Sequence, residues 1–349
     1  MLRTVSLLSI SALLERFCWI KKFLLFQPGK SPMDTSLKVL KQKKILVLGA
    51  SGQVGSELLD QLLEFECKIT AVKRSSWESI ATDAIAYRQV NLMLINDQDL
   101  KNLVSDHDYI FHLAGDTSVN TSVDNESHYY RAWIDPLHRI LSLMVNTKKV
   151  LVFASSATVY GSNPELPVTE RTCESPETSY DLAKVSCDNL IRYYNGAYGV
   201  NCVSLRFSNI YGPKTSDGNE SRRAINKILD IIHATKEITI VGDGRFLRNY
   251  IHVYDAAAML IHAGINILHI SPILLACSEE NLTFRAVIGK LIEIYEKEFD
   301  AKVEMKFDLP EKFITDKRSF SAKPSDVFFR NFEYKYNVRR GFDEIVKSL

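Results

Sequence analysis

The chain has 349 residues, 46% of them apolar, which is enough for two medium domains or one large one with a substantial core and sets disorder aside. Lys and Arg total 43 against 42 for Asp and Glu, so there is no basic field to draw nucleic acid, and any phosphate binding has to be local. Six cysteines without C-x-x-C spacing and eight histidines without an H-x-x-x-H pattern argue against a metal site and read as reduced thiols in a cytoplasmic protein.

Residues 1–42 form an N-terminal extension. "TVSLLSISALL" is apolar, but Glu15, Arg16, Lys21 and Lys22 interrupt it before a spanning length of about 20 residues is reached, so no integral membrane span is expected. A loosely ordered leader with Met33 as an alternative start, an interfacial helix and a targeting signal all remain open for this segment. From about Lys43 the pattern becomes regular. "KKILVLGASGQVGSELLDQLLEF" passes from a short apolar run through three glycines to Val54, Leu58, Leu59 and Leu62 at helical spacing, which predicts strand, loop and helix. "CKITAVKR" reads as a strand, "DLKNLVSD" as a helix, "DYIFHLAG" as a strand and Tyr129 to Val145 as a long helix. "KVLVFASS" and "NCVSLRFS" are two more strands, separated by a helix that contains "PETSYDLAKVSCD".

Strands rich in Val, Ile and Leu alternating with helices of this length predict an α/β fold, a doubly wound parallel sheet covered on both faces, with ligands at the carboxyl ends of the strands. Beyond about Tyr211 the pattern is less regular: Pro213, Gly218, the polar run "KTSDGNES" and a helix from Ala224 to Ala234. The expected organisation is a dinucleotide-binding domain over 43–212, to which about 250–268 returns, and a smaller mixed substrate-binding domain over 213–349.

Gly49, Gly52 and Gly55 make a G-x-x-G-x-x-G run between the first strand and the first helix. Backbone amides there, with those of Gln53 and Val54, and the positive end of the helix suit a pyrophosphate. The second strand ends in Lys73 and Arg74, cations at the position where an acidic side chain would accept from ribose hydroxyls. They suit a 2'-phosphate, and so NADP over NAD, unless they are simply a solvated strand end. Tyr180 and Lys184, four residues apart, share a helix face where an ammonium can act on a phenol, although among 15 tyrosines about one such pair is expected by chance. At the end of "VFASSATVYG", Ser155 or Ser156 faces the crevice.

The order glycine loop, Ser, Tyr, Lys resembles the short-chain dehydrogenase/reductase superfamily. "SLRFSNIYGP" and "VGDGRFLRNYIHVYDAA" narrow the resemblance to its extended branch, the NAD(P)-dependent nucleotide-sugar epimerases and dehydratases, over about residues 43–349. The resemblance implies that Tyr180 is the general base for a sugar hydroxyl, that Lys184 holds the cofactor ribose and depresses the phenol's pKa, and that Ser156 orients the reacting oxygen, with Ser155 its structural neighbour. It implies cofactor contacts at Asn91, Leu92, Leu113, Ala114 and Gly115, and a substrate diphosphate held by Asn209 and Arg248, the latter through the paired donors of its guanidinium. A nucleotide sugar is the implied substrate and a homodimer is compatible with the family's habit. Three positions depart from the pattern: Trp133 stands where the family usually has Asn, Pro136 where Gly is usual, and Asn91 where an Asp commonly accepts from the adenine amine.

Dehydratases of this type carry an Asp-Glu pair directly after the central hydroxyl residue, whereas this chain has Ala157 and Thr158. That disfavours dehydration, and decarboxylation by a nearby Glu with it. The resemblance leaves a 4-epimerase, to which "SSATVYG" is nearest, or an NADPH-dependent 4-ketoreductase, which the basic "VKR" favours. A cofactor-binding protein without turnover is the third reading, motivated by Trp133 and the unusual leader.

Overall fold

The computed structural model describes residues 39–349 except 75–83, 117–125, 163, 214–223, 310–318 and 324–331. The leader with Met33, most of the N-terminal extension, and "KTSDGNES" with Gly218 therefore lie outside the described residues. Among those described, the strands are β1 (Lys44–Leu48), β2 (Lys68–Lys73), β3 (Ile85–Gln89), β4 (Tyr109–His112), β5 (Val150–Ser156), β6 (Asn201–Phe207), β7 (Asn209–Tyr211), β8 (Glu237–Val241), β9 (Leu247–His252), β10 (Ile273–Ala276), β11 (Asn281–Thr283) and β12 (Glu304–Asp308). The helices are α1 (Gln53–Leu62), α2 (Asp97–Ser105), α3 (Glu126–Tyr129, a π-helical turn Tyr130–Ile134, then Asp135–Met144), α4 (Ser179–Tyr198), α5 (Ala224–Thr235), α6 (Val253–Ile265), α7 (Phe284–Phe299) and α8 (Val338–Lys347).

Seven strands form one parallel sheet in the order β10-β6-β5-β4-β1-β2-β3, the doubly wound architecture expected. Its central strands are apolar on both faces because helices cover both. Val47, Val152 and Leu205 pack with Leu58 and Leu62 of α1 and with Ala256, Met259 and Leu260 of α6. On the other face Leu46, Leu151 and Ile110 pack with Leu100 of α2, Leu137 and Ile140 of α3, and Ile191 of α4. Burial of this kind contributes about 25 cal/mol per Å² of apolar surface and is the main force holding the layers together.

Two features of the sheet were not legible as strands. β3 buries only Ile85 fully, since it is the edge strand and lacks an apolar run. β10 extends the sheet at its other edge, beyond the returning stretch 250–268. The helix expected from Tyr129 to Val145 begins at Glu126 and ends at Met144, with a π turn inside it. Pro136 supplies the cause: it has no N–H to give the carbonyl of Ala132 and its ring would crowd that carbonyl, so the regular ladder is broken just before it.

A smaller mixed sheet is built from β7, β9 and β11, with β7 parallel and β11 antiparallel to β9. A parallel pair of β8 and β12 lies with it. Ile225 and Leu229 of α5, Leu291 and Tyr295 of α7 and Phe342 of α8 form the separate apolar core of this part. No helix among the described residues is long and apolar enough to cross a membrane, and no cluster of three or more His, Cys, Asp or Glu there is arranged to hold a metal ion. Cys67, Cys187, Cys202 and Cys277 are buried free thiols, and Cys173 is an exposed one.

Candidate active site

The crevice begins at the loop between β1 and α1. Gly49 has φ +87°, which favours glycine, and a Cβ there would lie 2.6 Å from the amide nitrogen of Ala114. Gly55 lets α1 start directly over the loop, since a Cβ would meet the Gly49 carbonyl oxygen at 2.2 Å. The amides of Gly49 and Ala50 donate to Val72 O at 3.0 Å and tie the loop to β2. Gly52 caps α1 with no side-chain hydrogen bond, so the first-turn amides around Gln53 and Val54 remain available to an anion. A cradle in which Gly49 and Gly55 leave no room for a side chain, at an uncapped helix start, fits a pyrophosphate. The side chain of Gln53 points elsewhere, with Nε2 donating to Pro213 O at 2.7 Å, and so links the loop to the segment after β7.

Lys73 closes β2 and Arg74 follows it, exposed, with its carbonyl accepting from Gln89 Nε2 at 3.3 Å. Asn91 Oδ1 accepts from Met93 N at 3.1 Å, so the carbonyl expected near an adenine amine already shapes its own turn. Leu92 is buried in the helical layer, whereas Leu113 and Ala114 are half-buried and Gly115 is exposed at the end of β4.

Catalytic candidates meet at the carboxyl end of β5. Thr178 and Asp181 form a capping box that fixes the start of α4: Thr178 Oγ1 accepts from Asp181 N at 3.2 Å, and Asp181 Oδ2 accepts from Thr178 N at 3.1 Å. Tyr180 sits in that first turn and Lys184 one turn later. Ser156 caps the short turn Ala157–Tyr160, its Oγ accepting from Thr158 N at 3.2 Å and sharing a hydrogen bond with the Thr158 hydroxyl at 3.0 Å, and its side chain acts on the Tyr180 phenol to lower its pKa. Ser155 is buried with no hydrogen-bond partner for its hydroxyl among the described residues, and of the two serines it is Ser156 whose side chain acts on the phenol.

The electrostatics differ from the sequence-based expectation. Burial raises the pKa of Tyr180 well above the ordinary phenol value, and the Ser156 side chain offsets this only in part. Lys184 is not among the groups that act most on it. Its Nζ donates to Ala154 O at 2.6 Å and lies 5.6 Å from the centre of the Tyr180 ring. Lys184 is 2% exposed, and burial brings its own pKa down to about 7.

Trp133 stands where the resemblance predicts Asn, inside the π turn of α3, and its indole lies across Lys184 with Nζ 3.2 Å from the ring centre. Its Nε1 donates to Asp116 O at 3.0 Å. A Cβ on Gly115 would meet the indole at 2.2 Å, so the glycine is needed by the tryptophan beside it. Beneath lies His112, wholly buried, its ring contacting Trp133 and Phe153; burial first, and the nearby Lys184 charge second, lower its pKa to about 3. His112 and the Ala154 carbonyl were not singled out in the sequence, and no motif marks them: a buried strand His and a backbone carbonyl become relevant only once α3 and α4 are packed on the sheet.

Asn209 and Arg248 come together on the small sheet, where Asn209 pairs with Tyr250 in register. Asn209 Nδ2 donates to Asn249 O at 3.1 Å, and the Arg248 guanidinium rests 4.2 Å from the Phe246 ring centre while Nη1 donates to Leu247 O at 2.9 Å.

Residues 45–267 match the model of the NAD dependent epimerase/dehydratase family. The chain is similar to a Bacillus subtilis (strain 168) protein described as "Uncharacterized UDP-glucose epimerase YtcB", 32% identical over 231 aligned positions, covering 61% of this chain and 69% of that protein. It is also similar to the UDP-glucose 4-epimerase of Mycolicibacterium smegmatis, 26% identical over 63% of this chain and 73% of the relative. Among solved structures, the UDP-N-acetylglucosamine 4-epimerase from Methanobrevibacter ruminantium M1, in complex with UDP-N-acetylmuramic acid, shares the fold with a TM-score of 0.76 at 24% identity, covering 88% of this chain and 98% of that one. The UDP-glucuronic acid 4-epimerase from Bacillus cereus, in complex with NAD, does so with a TM-score of 0.71 at 19% identity, covering 87% and 96%. With a glycine cradle, a parallel sheet and a family match that spans more than half of its length, the chain belongs to the NAD-dependent epimerase/dehydratase family.

Proposed function

We propose that this protein is a nucleotide-sugar 4-epimerase, and the observation that carries the reading is the meeting of Ser156, Tyr180 and Lys184 at the carboxyl end of β5, where the Ser156 side chain acts on the phenol and Lys184 lies one helical turn away. The glycine loop and the α1 start hold the cofactor's pyrophosphate. The chemistry that NAD(P) would supply at this site is reversible hydride acceptance from the sugar's C4. Tyr180 accepts the C4 hydroxyl proton and gives it back, and Ser156 steadies the same oxygen. A lysine ammonium has three donors, of which Ala154 O takes one, so two remain for ribose hydroxyls. Asn209 and Arg248 hold the diphosphate from the small sheet, with the phosphate oxygens suited to the guanidinium's paired donors. Ala157 and Thr158 offer no carboxylate for loss of water, which supports epimerisation over dehydration. The relatives described as UDP-sugar epimerases support the same substrate class.

Lys73 and Arg74 favour NADP, and that pair is the one observation that favours an NADPH-dependent 4-ketoreductase instead. The exposed Leu182 and Tyr193 on α4 suit a helix-to-helix homodimer. The test is to purify the protein, identify the cofactor it releases in acid, and assay UDP-sugars and their 4-keto forms with and without added NADPH. Interconversion without net NADPH use is the predicted result, and stoichiometric NADPH consumption on a keto sugar would establish the reductase. Replacing Tyr180→Phe is expected to cut turnover by about 10²–10⁴-fold while leaving cofactor affinity intact. Unchanged turnover would remove Tyr180 as the base.

A further inference from the structure

We propose that Trp133 is the positioning residue for Lys184: its indole face forms the seat on which the ammonium rests, and Gly115 supplies the space that lets the ring lie there. The proposal rests on the role given to Lys184 above. It starts from an imbalance in how the ammonium is held. Lys184 is buried, and among the described residues no carboxylate is in ion-pair contact with it. Asp188, one turn along α4 and the nearest candidate, is committed elsewhere: Oδ2 accepts from Arg206 Nε at 2.7 Å and Oδ1 accepts from the Ser204 hydroxyl. Among the described residues, the ammonium is faced by the Ala154 carbonyl and Phe153 ring of β5, the neutral His112 of β4, Tyr180 and Cys187 of α4 and the indole of α3, with the committed Asp188 acting on it at longer range. Burial keeps both the phenol and the thiol in their neutral forms. Beside the Ala154 carbonyl, the indole face is the closest source of negative potential among these groups, with Nζ 3.2 Å from the ring centre.

The ring is fixed from three sides. Its N–H is anchored to Asp116 O, its edge packs on Phe153 at 5.9 Å between ring centres, and its face covers Gly115. A side chain held this firmly, 1% exposed, sets the direction of the lysine rather than following it. The aromatic face lowers the energy of the charged lysine, so an aliphatic replacement of like bulk is expected to make the ammonium harder to hold. The ammonium is thus held by the Ala154 carbonyl and the indole face with no carboxylate in ion-pair contact among the described residues.

The test is direct titration of Lys184 by NMR in the full chain carrying 13Cε-labelled lysine, no substrate being added, with the signal assigned by its loss in Lys184→Arg. The parent is expected to titrate near the value of about 7 set by burial. Trp133→Phe keeps an aromatic face and should move the midpoint by less than about half a unit, whereas Trp133→Leu should lower it by about one unit or more. Biosynthetic difluorotryptophan weakens the ring's quadrupole at almost unchanged size and keeps the test alive should Trp133→Leu fail to fold; it should lower the midpoint part of the way. Gly115→Ala should give a similar shift and add little in the Trp133→Leu chain, because both act by removing the same contact. Midpoints unmoved by Leu and by fluorination would overturn the proposal, and additive shifts would remove Gly115 from it. The readout needs no turnover, so a failed epimerase assay with a responsive Lys184 counts against the proposed reaction alone.

Discussion

Two buried cations lie within one helix and strand of each other and are treated in opposite ways. Arg206 on β6 is 0% exposed and fully compensated: Nε donates to Asp188 at 2.7 Å, Nη1 to the Tyr160 hydroxyl at 3.0 Å, and Nη2 to Glu174, which also pairs with Arg192 at 2.6 Å. Burial alone would lower its pKa, but these partners raise it. Lys184 on α4 is equally buried and has one carbonyl and one aromatic face. Burial wins there and its pKa falls to about 7. The arginine is neutralised where it stands and belongs to the fold, locking α4 to β6. The lysine keeps an unspent charge in the crevice at the expense of stability, as groups kept for binding or chemistry often do.

The contrast can be broken from the arginine side first. Arg206→Met leaves Asp188 and Glu174 without their main partner and should destabilise the protein by about 3–5 kcal/mol, a fall in Tm on the order of 10 °C by calorimetry. A loss near zero would mean that the network is ornamental. Glu174 comes next. Burial pushes its pKa up, but hydrogen bonds from Arg192 and Arg206 dominate and hold it at about 2. A carboxyl held low stabilises the fold above its ordinary range and loses that contribution as pH falls. Glu174→Gln should therefore cost about 1–2 kcal/mol at neutral pH, with the difference from the parent shrinking from about pH 4.5 down to about pH 2 in urea titrations. The smallest effect is expected for Tyr160→Phe, about 1 kcal/mol, because it removes one neutral acceptor from a guanidinium that keeps two carboxylates.

The parallel sheet and the strand, glycine loop and helix start were readable because each rests on local pattern, apolar runs and a helix start, whereas the four-residue spacing of Tyr180 and Lys184 settled nothing by itself and Ser156 was singled out only by the family resemblance. The edge strand β3 was not readable, since Ile85 alone faces the core fully and no apolar period remains to read. The direction of the Tyr180 shift was also hidden. Spacing places Lys184 on the same helix face, but which way its ammonium turns depends on the Ala154 carbonyl and the Trp133 ring, which come from distant parts of the chain. Trp133 was visible as an odd residue and Gly115 as a strand-end glycine, yet their mutual need exists only in the packed structure.

The most direct test of the contrast is Lys184→Met, followed for stability and turnover together across pH. The folded chain holds this group below its ordinary value of about 10.5, so the unfolded chain binds more protons between about pH 7 and 10.5, and the parent gains stability as pH rises through that window. Lys184→Met should therefore raise Tm, by about 1–3 kcal/mol of stability below pH 7, with the advantage fading toward pH 10.5, while turnover is lost. A fall in Tm like that of Arg206→Met, with turnover retained, would show that Lys184 is a structural cation and would contradict the account.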